Sequence, residues 1–126
     1  MLKLTFLMKR KQGMGFDAFR DYYENNHAPL AATLCPHLVR YRRTYLTGWE
    51  SLARSAQLPD PDFDCITECW YDVEGTWDER KLDLLPAEVF RQLAADEENF
   101  LDRRANRLVA TEQIESEPDT LLGSKS

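Results

Sequence analysis

The chain has 126 residues, of which 43% are hydrophobic and 30% charged, and its formal net charge is −6. This composition is ordinary for a soluble globular protein, and the length fits one domain with a small core. The negative charge argues against nucleic acid as a partner. No apolar run approaches the roughly 20 residues that cross a bilayer, so no membrane partner is expected either.

The N-terminus and the cysteines favour a cytoplasmic protein. The first ten residues alternate like a strand and lack a signal-peptide cleavage pattern. The chain has three cysteines, an odd number. Cys65 and Cys69 lie four residues apart in a predicted strand, which separates them by roughly 13 Å. That distance is too long for a disulfide, so reduced thiols are expected, as in the cytoplasm.

The chain opens with a strand and a helix. In residues 2–10 the apolar side chains alternate, which is typical of a strand with one apolar face. Two glycines then lead into an amphipathic helix over residues 16–27. Because the ring of Pro29 disfavours a helical conformation at the residue before it, this helix is expected to end at or near His27. Histidine changes charge nearest to neutral pH, so an imidazole held at a fixed helix end is a candidate acid/base group.

The remaining chain alternates between strand and helix patterns. Strands are predicted over residues 38–46, 63–71 and 106–112, and helical segments over residues 72–82 and 86–101. The connection over residues 47–62 is long enough to be a lid, a binding loop or a contact surface, and it has room for a short helix.

The resulting order, β-α-β-β-α-β, is the ferredoxin-like pattern of an α+β fold. It predicts a four-stranded antiparallel sheet with both helices on one face. We assign this domain to residues 1–114 and a polar C-terminal tail to residues 115–126. The open face of the sheet would hold an aromatic residue such as Phe6, Tyr41 or Trp70, which is too apolar to face water alone. A second copy of the same sheet would cover it, so a homodimer is expected.

The alternation of a strand does not choose which of its two residue sets faces the helices. A shift of one residue in the pairing moves every side chain of a strand to the other face. Both assignments of the sheet faces therefore stay open at this point.

Several segments resemble the EthD-domain family. The segment from Lys9 to Leu30, which ends in Tyr-Tyr-Glu-Asn-Asn-His-Ala-Pro-Leu, is similar to the opening motif of these proteins. Residues 38–43, 66–72 and 96–102 resemble their second strand, third strand and last helix. The likeness covers about residues 1–113. It implies a dimeric α+β barrel, in which two four-stranded sheets close around paired active-site cavities.

Two positions depart from the family pattern. Gly15 stands where such proteins usually have a serine cap, and His37 stands where glycine is common. The wider superfamily includes polyketide cyclases, dehydratases, decarboxylases, lactone isomerases and cofactor-free monooxygenases. The fold alone does not choose among these activities.

His27 and Glu68 are the candidate catalytic residues. His27 can move a proton at a carbon next to a carbonyl, as water loss, aldol-type cyclisation and isomerisation require. The alternative is a helix-ending histidine that binds a backbone carbonyl. Glu68 shares a strand face with Trp70, where a desolvated carboxyl would keep its proton and act as a general acid. The alternative is a salt bridge to Arg40 or Arg42.

The candidate substrate-binding residues are Tyr22, Tyr23, Arg40 and Trp70. One tyrosine, most simply Tyr23, joins the core face, and the other can donate a hydrogen bond to a substrate oxygen or form a surface contact. Arg40 can hold a carboxylate or phenolate, or simply face solvent. Trp70, like the other two tryptophans, is expected in the core or the cavity wall, which would suit an aromatic substrate.

The motifs of metal and nucleotide sites are absent from the sequence. Two histidines without Cys-x-x-Cys or His-x-x-x-His argue against a metal, and the lack of Gly-x-Gly-x-x-Gly or a phosphate loop argues against a nucleotide. We therefore expect no cofactor and no metal, and acid/base chemistry in a dry pocket. The favoured function is a lyase or cyclase for a small aromatic or polyketide-like carbonyl compound, acting by dehydration, aldol-type cyclisation or decarboxylation. A cofactor-free monooxygenase of anthrone-like phenols and a non-catalytic small-molecule-binding accessory protein are the alternatives.

Overall fold

The computed structural model describes residues 1–123, apart from the side chains of residues 49–51. The elements in chain order are β1 (Leu2–Met8), α1 (Phe16–Tyr22), a π-helical segment (Tyr23–His27), α2 (Ala28–Leu34), β2 (Leu38–Tyr45), α3 (Trp49–Ala56), β3 (Cys65–Tyr71), α4 (Trp77–Leu84), α5 (Ala87–Glu97), β4 (Arg107–Val109) and α6 (Pro118–Leu121). The predicted elements are all present, with strands one to four residues shorter than their patterns. Helix α6 lies in the predicted tail, whose last three residues are outside the described part.

The four strands form one antiparallel sheet in the order β2-β3-β1-β4. Apolar clusters join one face of this sheet to the helices. The order and the one-sided helix layer are those of the ferredoxin-like α+β pattern, so the predicted fold class is confirmed.

The structure decides which side chains face the helices. On β3 the inward residues are Cys65, Thr67, Cys69 and Tyr71, each exposed by 6% or less. We call this side of the sheet the inner face. The opposite side, the outer face, displays the alternate residues of the three long strands, which are Lys3, Thr5, Leu7, Arg40, Arg42, Thr44, Ile66, Glu68 and Trp70.

Two apolar clusters lie between the inner face and the helices. One joins Phe19 and Tyr23 to Phe100, and all three side chains are fully buried. The other places Leu84 of α4 against Leu4 of β1. The turn after α5 brings Phe100 inward because its carbonyl accepts the N–H of Lys11 at 2.9 Å. Burying each large aromatic side chain contributes about 1.5–3 kcal/mol, so this contact holds the end of α5 against α1.

The prediction that the first helix ends near His27 is wrong. The helical backbone continues to Leu34 through the π-helical segment, in which the N–H of Ala28 donates to the carbonyl of Tyr23 five residues earlier. Pro29 then occupies the first turn of α2, where a missing N–H costs least. His27 therefore lies inside a continuous helical run and is only 4% exposed. Single π turns inside helices are frequent at functional sites.

Strand β2 also departs from simple alternation. Regular alternation would place Val39 on the same face as Tyr41, but the register shifts between Leu38 and Arg40, and Val39 is left 56% exposed. A bulge of this kind inserts one unpaired residue and reverses the alternation on one side of it. Trp77 packs against the second apolar cluster. The prediction for Trp49 concerns a side chain outside the described part of the structure.

His37 has a left-handed backbone with φ of 65°, and its carbonyl accepts the N–H of Asp72 at 2.8 Å. A residue with a Cβ loses about 1–2 kcal/mol in this conformation, while glycine loses about 0.5–1 kcal/mol in chain entropy. His37→Gly should therefore raise the free energy of unfolding by about 0.5–1 kcal/mol in urea titrations. His37→Ala keeps the Cβ and should not stabilise the fold. A glycine variant no more stable than the alanine variant would contradict this explanation.

Candidate active site

A cavity of about 220 Å³ lies between the inner face and the helices. Its walls are mostly aromatic and aliphatic, and include Phe6, Met8, Tyr41, Tyr71, Phe90 and Leu93. The polar side chains in its lining include His27, Glu97, Arg103 and Asn106. An apolar pocket with a few convergent polar groups is the usual form of a small-molecule site.

His27 is held in the cavity wall by a carboxylate from another helix. Its Nδ1 lies 2.8 Å from Oδ2 of Asp96, on the last turn of α5. Its ring packs against Phe100, with ring centroids 4.9 Å apart, and edge-on against Tyr23 at 5.6 Å. An ionised carboxylate can only accept, so Nδ1 carries the proton in this bond. Nε2 has no hydrogen-bond partner among the described residues and is the nitrogen available for proton transfer.

Asp96 is itself fixed by two further donors. The Tyr22 hydroxyl donates to Oδ1 at 2.7 Å, and the Asn99 amide donates to the same oxygen at 3.4 Å and to the Tyr22 oxygen at 2.9 Å. Burial would raise the pKa of Asp96, but the hydrogen bonds from Tyr22 and His27 outweigh it and keep that pKa below its usual value. Asp96 is therefore ionised at neutral pH and stabilises a positive charge on His27.

A second hydroxyl network forms the floor of the cavity. The Tyr23 hydroxyl lies 2.8 Å from the hydroxyls of both Tyr41 and Thr67, and Thr67 donates to the sulfur of Met8 at 3.4 Å. Burial raises the pKa of both tyrosines, so both stay neutral. Tyr23, Tyr41 and Thr67 all line the cavity, so this network presents hydroxyl groups to it.

The π-helical segment is also bound to β2 through Glu24. The Arg43 guanidinium holds its carboxylate in a two-point contact at 2.7 and 2.8 Å, and the Tyr45 hydroxyl donates to it at 2.5 Å. The bonds from Arg43 lower the pKa of Glu24, with burial opposing them and Tyr45 assisting. Tyr23 and Glu24 thus tie the helical segment that contains His27 to the sheet.

Glu97, the residue after Asp96, faces the cavity instead. Its side chain is 21% exposed, and Oε1 accepts the Nε of Arg103 at 3.2 Å. Burial raises the pKa of Glu97, and the nearby charges of His27 and Arg103 offset this only in part. Two adjacent carboxyl groups therefore have opposite environments: Asp96 is kept ionised, and Glu97 holds its proton more tightly.

The structure places the predicted site residues on two sides of the sheet. His27 and Tyr23 line the cavity. Tyr22 is not in the cavity lining but supports His27 through Asp96. The alternative role for His27, a bond to a backbone carbonyl, is replaced by the bond to the Asp96 side chain.

Glu68, Arg40 and Trp70 lie on the outer face of the sheet, away from His27. Glu68 lies 2.6 Å from the Lys3 ammonium and 3.7 Å from the Arg42 guanidinium, which is the ion-pair alternative for this residue. Arg40 covers the ring of Trp70, with 4.6 Å from the guanidinium carbon to the ring centroid. The structure therefore does not bring Glu68 and His27 into one site within a chain.

Asp96, Glu97 and Arg103 were not singled out from the sequence. Asp96 lies 69 positions from His27, so no local spacing joins them. The one sequence signal that pointed to this region was the resemblance of residues 96–102 to the last helix of EthD-domain proteins. Residues 1–123 contain no group of three or more histidine, cysteine or acidic side chains placed to hold a metal ion.

A model of the EthD domain matches residues 11–104. The chain belongs to the EthD-domain family. An EthD-family protein from Bacillus halodurans shares 22% identity and superimposes with a TM-score of 0.64, over 90% of this chain and 99% of that one. A protein of Arabidopsis thaliana with 11% identity gives a TM-score of 0.60, over 93% of this chain and 99% of that one. At these identities the structural likeness concerns the fold.

One relative of this EthD-domain chain is named for an activity. The conidial pigment biosynthesis dehydratase EthD of Metarhizium robertsii is 37% identical over 76 residues, which cover 54% of this chain and 53% of that protein. The chain thus spans about half the length of that relative.

Among the helices of residues 1–123, none has the length and apolar character needed to cross a membrane.

The lowered pKa of Asp96 makes stability depend on pH. Ionised Asp96 stabilises the folded state above its unfolded pKa of about 3.9, and this contribution is lost as the pH falls through the lower folded pKa. Asp96→Asn should lower the free energy of unfolding by about 1–3 kcal/mol at neutral pH, and the deficit should shrink toward pH 3 or so in urea titrations. Asp102→Asn removes a charge six residues further along the chain, beyond the end of α5, and serves as the control. A deficit that stays constant with pH would count against the network.

Proposed function

We propose that this EthD-domain chain is a dehydratase-like lyase in which His27 is the general base. The observation that supports this best is the hydrogen bond from His27 Nδ1 to Asp96 in the wall of an apolar cavity. A buried carboxylate that fixes the tautomer of a histidine leaves the other nitrogen unprotonated, and it stabilises the imidazolium that forms when that nitrogen takes a proton.

The proposed reaction begins at a carbon next to a carbonyl. His27 Nε2 removes a proton from that carbon, and the electrons of the C–H bond form an enolate. A hydroxyl on the next carbon then leaves as water when it receives a proton, and a carbon–carbon double bond remains. The chain's own acid/base groups suffice for these steps, so no cofactor is invoked. His27 is only 4% exposed, and the low dielectric around a buried imidazole strengthens its interaction with Asp96.

The cavity suits a small aromatic or polyketide-like carbonyl compound. An apolar cavity of about 150 Å³ accommodates benzene, so about 220 Å³ has room for one or two fused rings. Phe6, Tyr71 and Phe90 offer aromatic walls, and the Tyr41 hydroxyl offers a polar contact for an oxygen. The name of the Metarhizium relative, a pigment biosynthesis dehydratase, supports the proposed reaction class, which is dehydration.

The assignment of His27 is tested with β-hydroxytetralone, a bicyclic aromatic β-hydroxy ketone that aromatises to a naphthol when it loses water. The wild type should form the naphthol, which is followed by absorbance. His27→Ala should reduce kcat by roughly 10²–10⁴-fold, the usual contribution of a general base. It should still bind the ketone in ligand-observed NMR.

His37→Ala is the matched control, because it removes the other, exposed histidine and should keep full activity. A folded His27→Ala protein with wild-type turnover would reject His27 as the base. Binding by the wild type without any conversion would favour the accessory-protein alternative, and oxygen uptake during turnover would favour the monooxygenase.

We also propose that the chain forms a homodimer through the outer face of its sheet. Leu7 and Ile66 are paired neighbours there, Trp70 lies four residues further along β3, and each is only partly covered within the chain. Glu68 lies between Ile66 and Trp70 and pairs with Lys3, with side chains 15% and 12% exposed. A second copy of the sheet would bury these apolar side chains and would complete the barrel that is typical of the fold.

An Ile66→Asp variant tests the dimer, because a buried charge without a partner costs several kcal/mol. Sedimentation velocity should give a dimer for the wild type and a monomer for this variant. Leu82→Asp changes a side chain on α4 that is 75% exposed, and it should remain a dimer. A wild type that sediments as a monomer at all concentrations would refute the proposal.

A further inference from the structure

Glu97 is a carboxyl group in the cavity that the proposed mechanism has not yet used. It ends α5 and lines the same cavity as His27, which lies on the π-helical segment. Two groups that line one cavity can reach the same bound molecule, as a general acid and a general base must. The preceding residue, Asp96, supports His27 from outside the cavity lining.

We propose that Glu97 is the general acid that protonates the leaving hydroxyl while His27 removes the proton from the neighbouring carbon. This inference rests on the proposed function. The Glu97 O–H bond breaks and its proton joins the hydroxyl oxygen. The carbon–oxygen bond then breaks with its electron pair, and water departs. Glu97 is left ionised and His27 is left protonated, so a proton returned from His27 to Glu97, directly or through solvent, restores both groups.

The surroundings of Glu97 determine whether it can hold a proton. Three ionisable groups act on its pKa besides burial: His27 in the same cavity lining, Arg103 in the turn after α5, and Asp96 next to it in sequence. Arg103 contacts only Oε1, and it is shared with Glu98, whose Oε1 lies 3.5 Å from its Nη1. Among the described residues Oε2 has no hydrogen-bond partner, so that oxygen is available to the substrate.

Opposed environments for two carboxyl groups are a recurring sign of acid and base assignments. Burial raises the pKa of Glu97, while hydrogen bonds keep the pKa of Asp96 low. The ordinary structural role for Glu97 would be to hold the turn through Arg103. That role predicts a change in stability, whereas acid catalysis predicts a change that depends on the leaving group.

The experiment compares β-hydroxytetralone with β-fluorotetralone. Hydroxide must be protonated to leave as water, whereas fluoride leaves as an anion and needs no proton from the enzyme. Glu97→Gln should lower kcat for the hydroxy ketone by about 10²-fold or more. The same variant should convert the fluoro ketone at close to the wild-type rate. His27→Ala should lose turnover of both compounds, because each needs the base.

Glu98→Gln is the matched control. It removes the neighbouring carboxylate that shares Arg103 but is not in the cavity lining, and it should leave both rates unchanged. Equal losses on both compounds for Glu97→Gln, in a protein with unchanged thermal stability, would overturn the acid role and leave His27 as the base. A loss of activity that accompanies a lowered Tm would show that Glu97 stabilises the turn through Arg103 and is not the acid. A wild type that converts neither compound would reject the proposed function and the Glu97 inference together.

Discussion

The hydrogen bond between His27 and Asp96 is the contact on which the candidate site depends. It joins the π-helical segment to the end of α5 across the helix layer, and it fixes which imidazole nitrogen carries the proton. Tyr22 and Asn99 hold Asp96 from the other side, and Phe100 packs against the imidazole. Without this carboxylate the imidazole would be a buried polar group that lacks its best partner, and its tautomer would be free to change.

The π turn places the histidine where this contact can form. A helix that ended at His27 would leave its imidazole at an exposed terminus, but the observed run continues to Leu34 and buries it. Pro29 directly follows the π-helical segment, in the first turn of α2. Bonds from Tyr23 and Glu24 to the sheet keep the segment in place. The π turn is a local irregularity of the helix that positions the His27 side chain, and π turns are frequent at functional sites.

Much of the fold could be predicted because strand and helix periods are local properties. The alternation in β1 and the helical spacing of Phe16, Phe19 and Tyr23 were enough for the element order and the fold class. The sheet faces could not be predicted, since alternation has two equivalent assignments, and Glu68 proved to lie on the outer face. His27 was recognisable by its chemistry, but Asp96 and Glu97 meet it only through tertiary packing. The end of the first helix was misjudged because Ala28, the residue before Pro29, adopts a helical backbone despite the proline.

In the candidate site, Asp96 holds His27 with its proton on Nδ1. Nitrogen-15 NMR of the histidine side chains in the full chain at neutral pH tests this directly, with the exposed His37 as an internal reference. We predict that His27 shows a protonated Nδ1 and an unprotonated Nε2, while His37 shows the averaged signals of an exposed imidazole. A proton on Nε2 of His27, or averaging like that of His37, would contradict the proposed base.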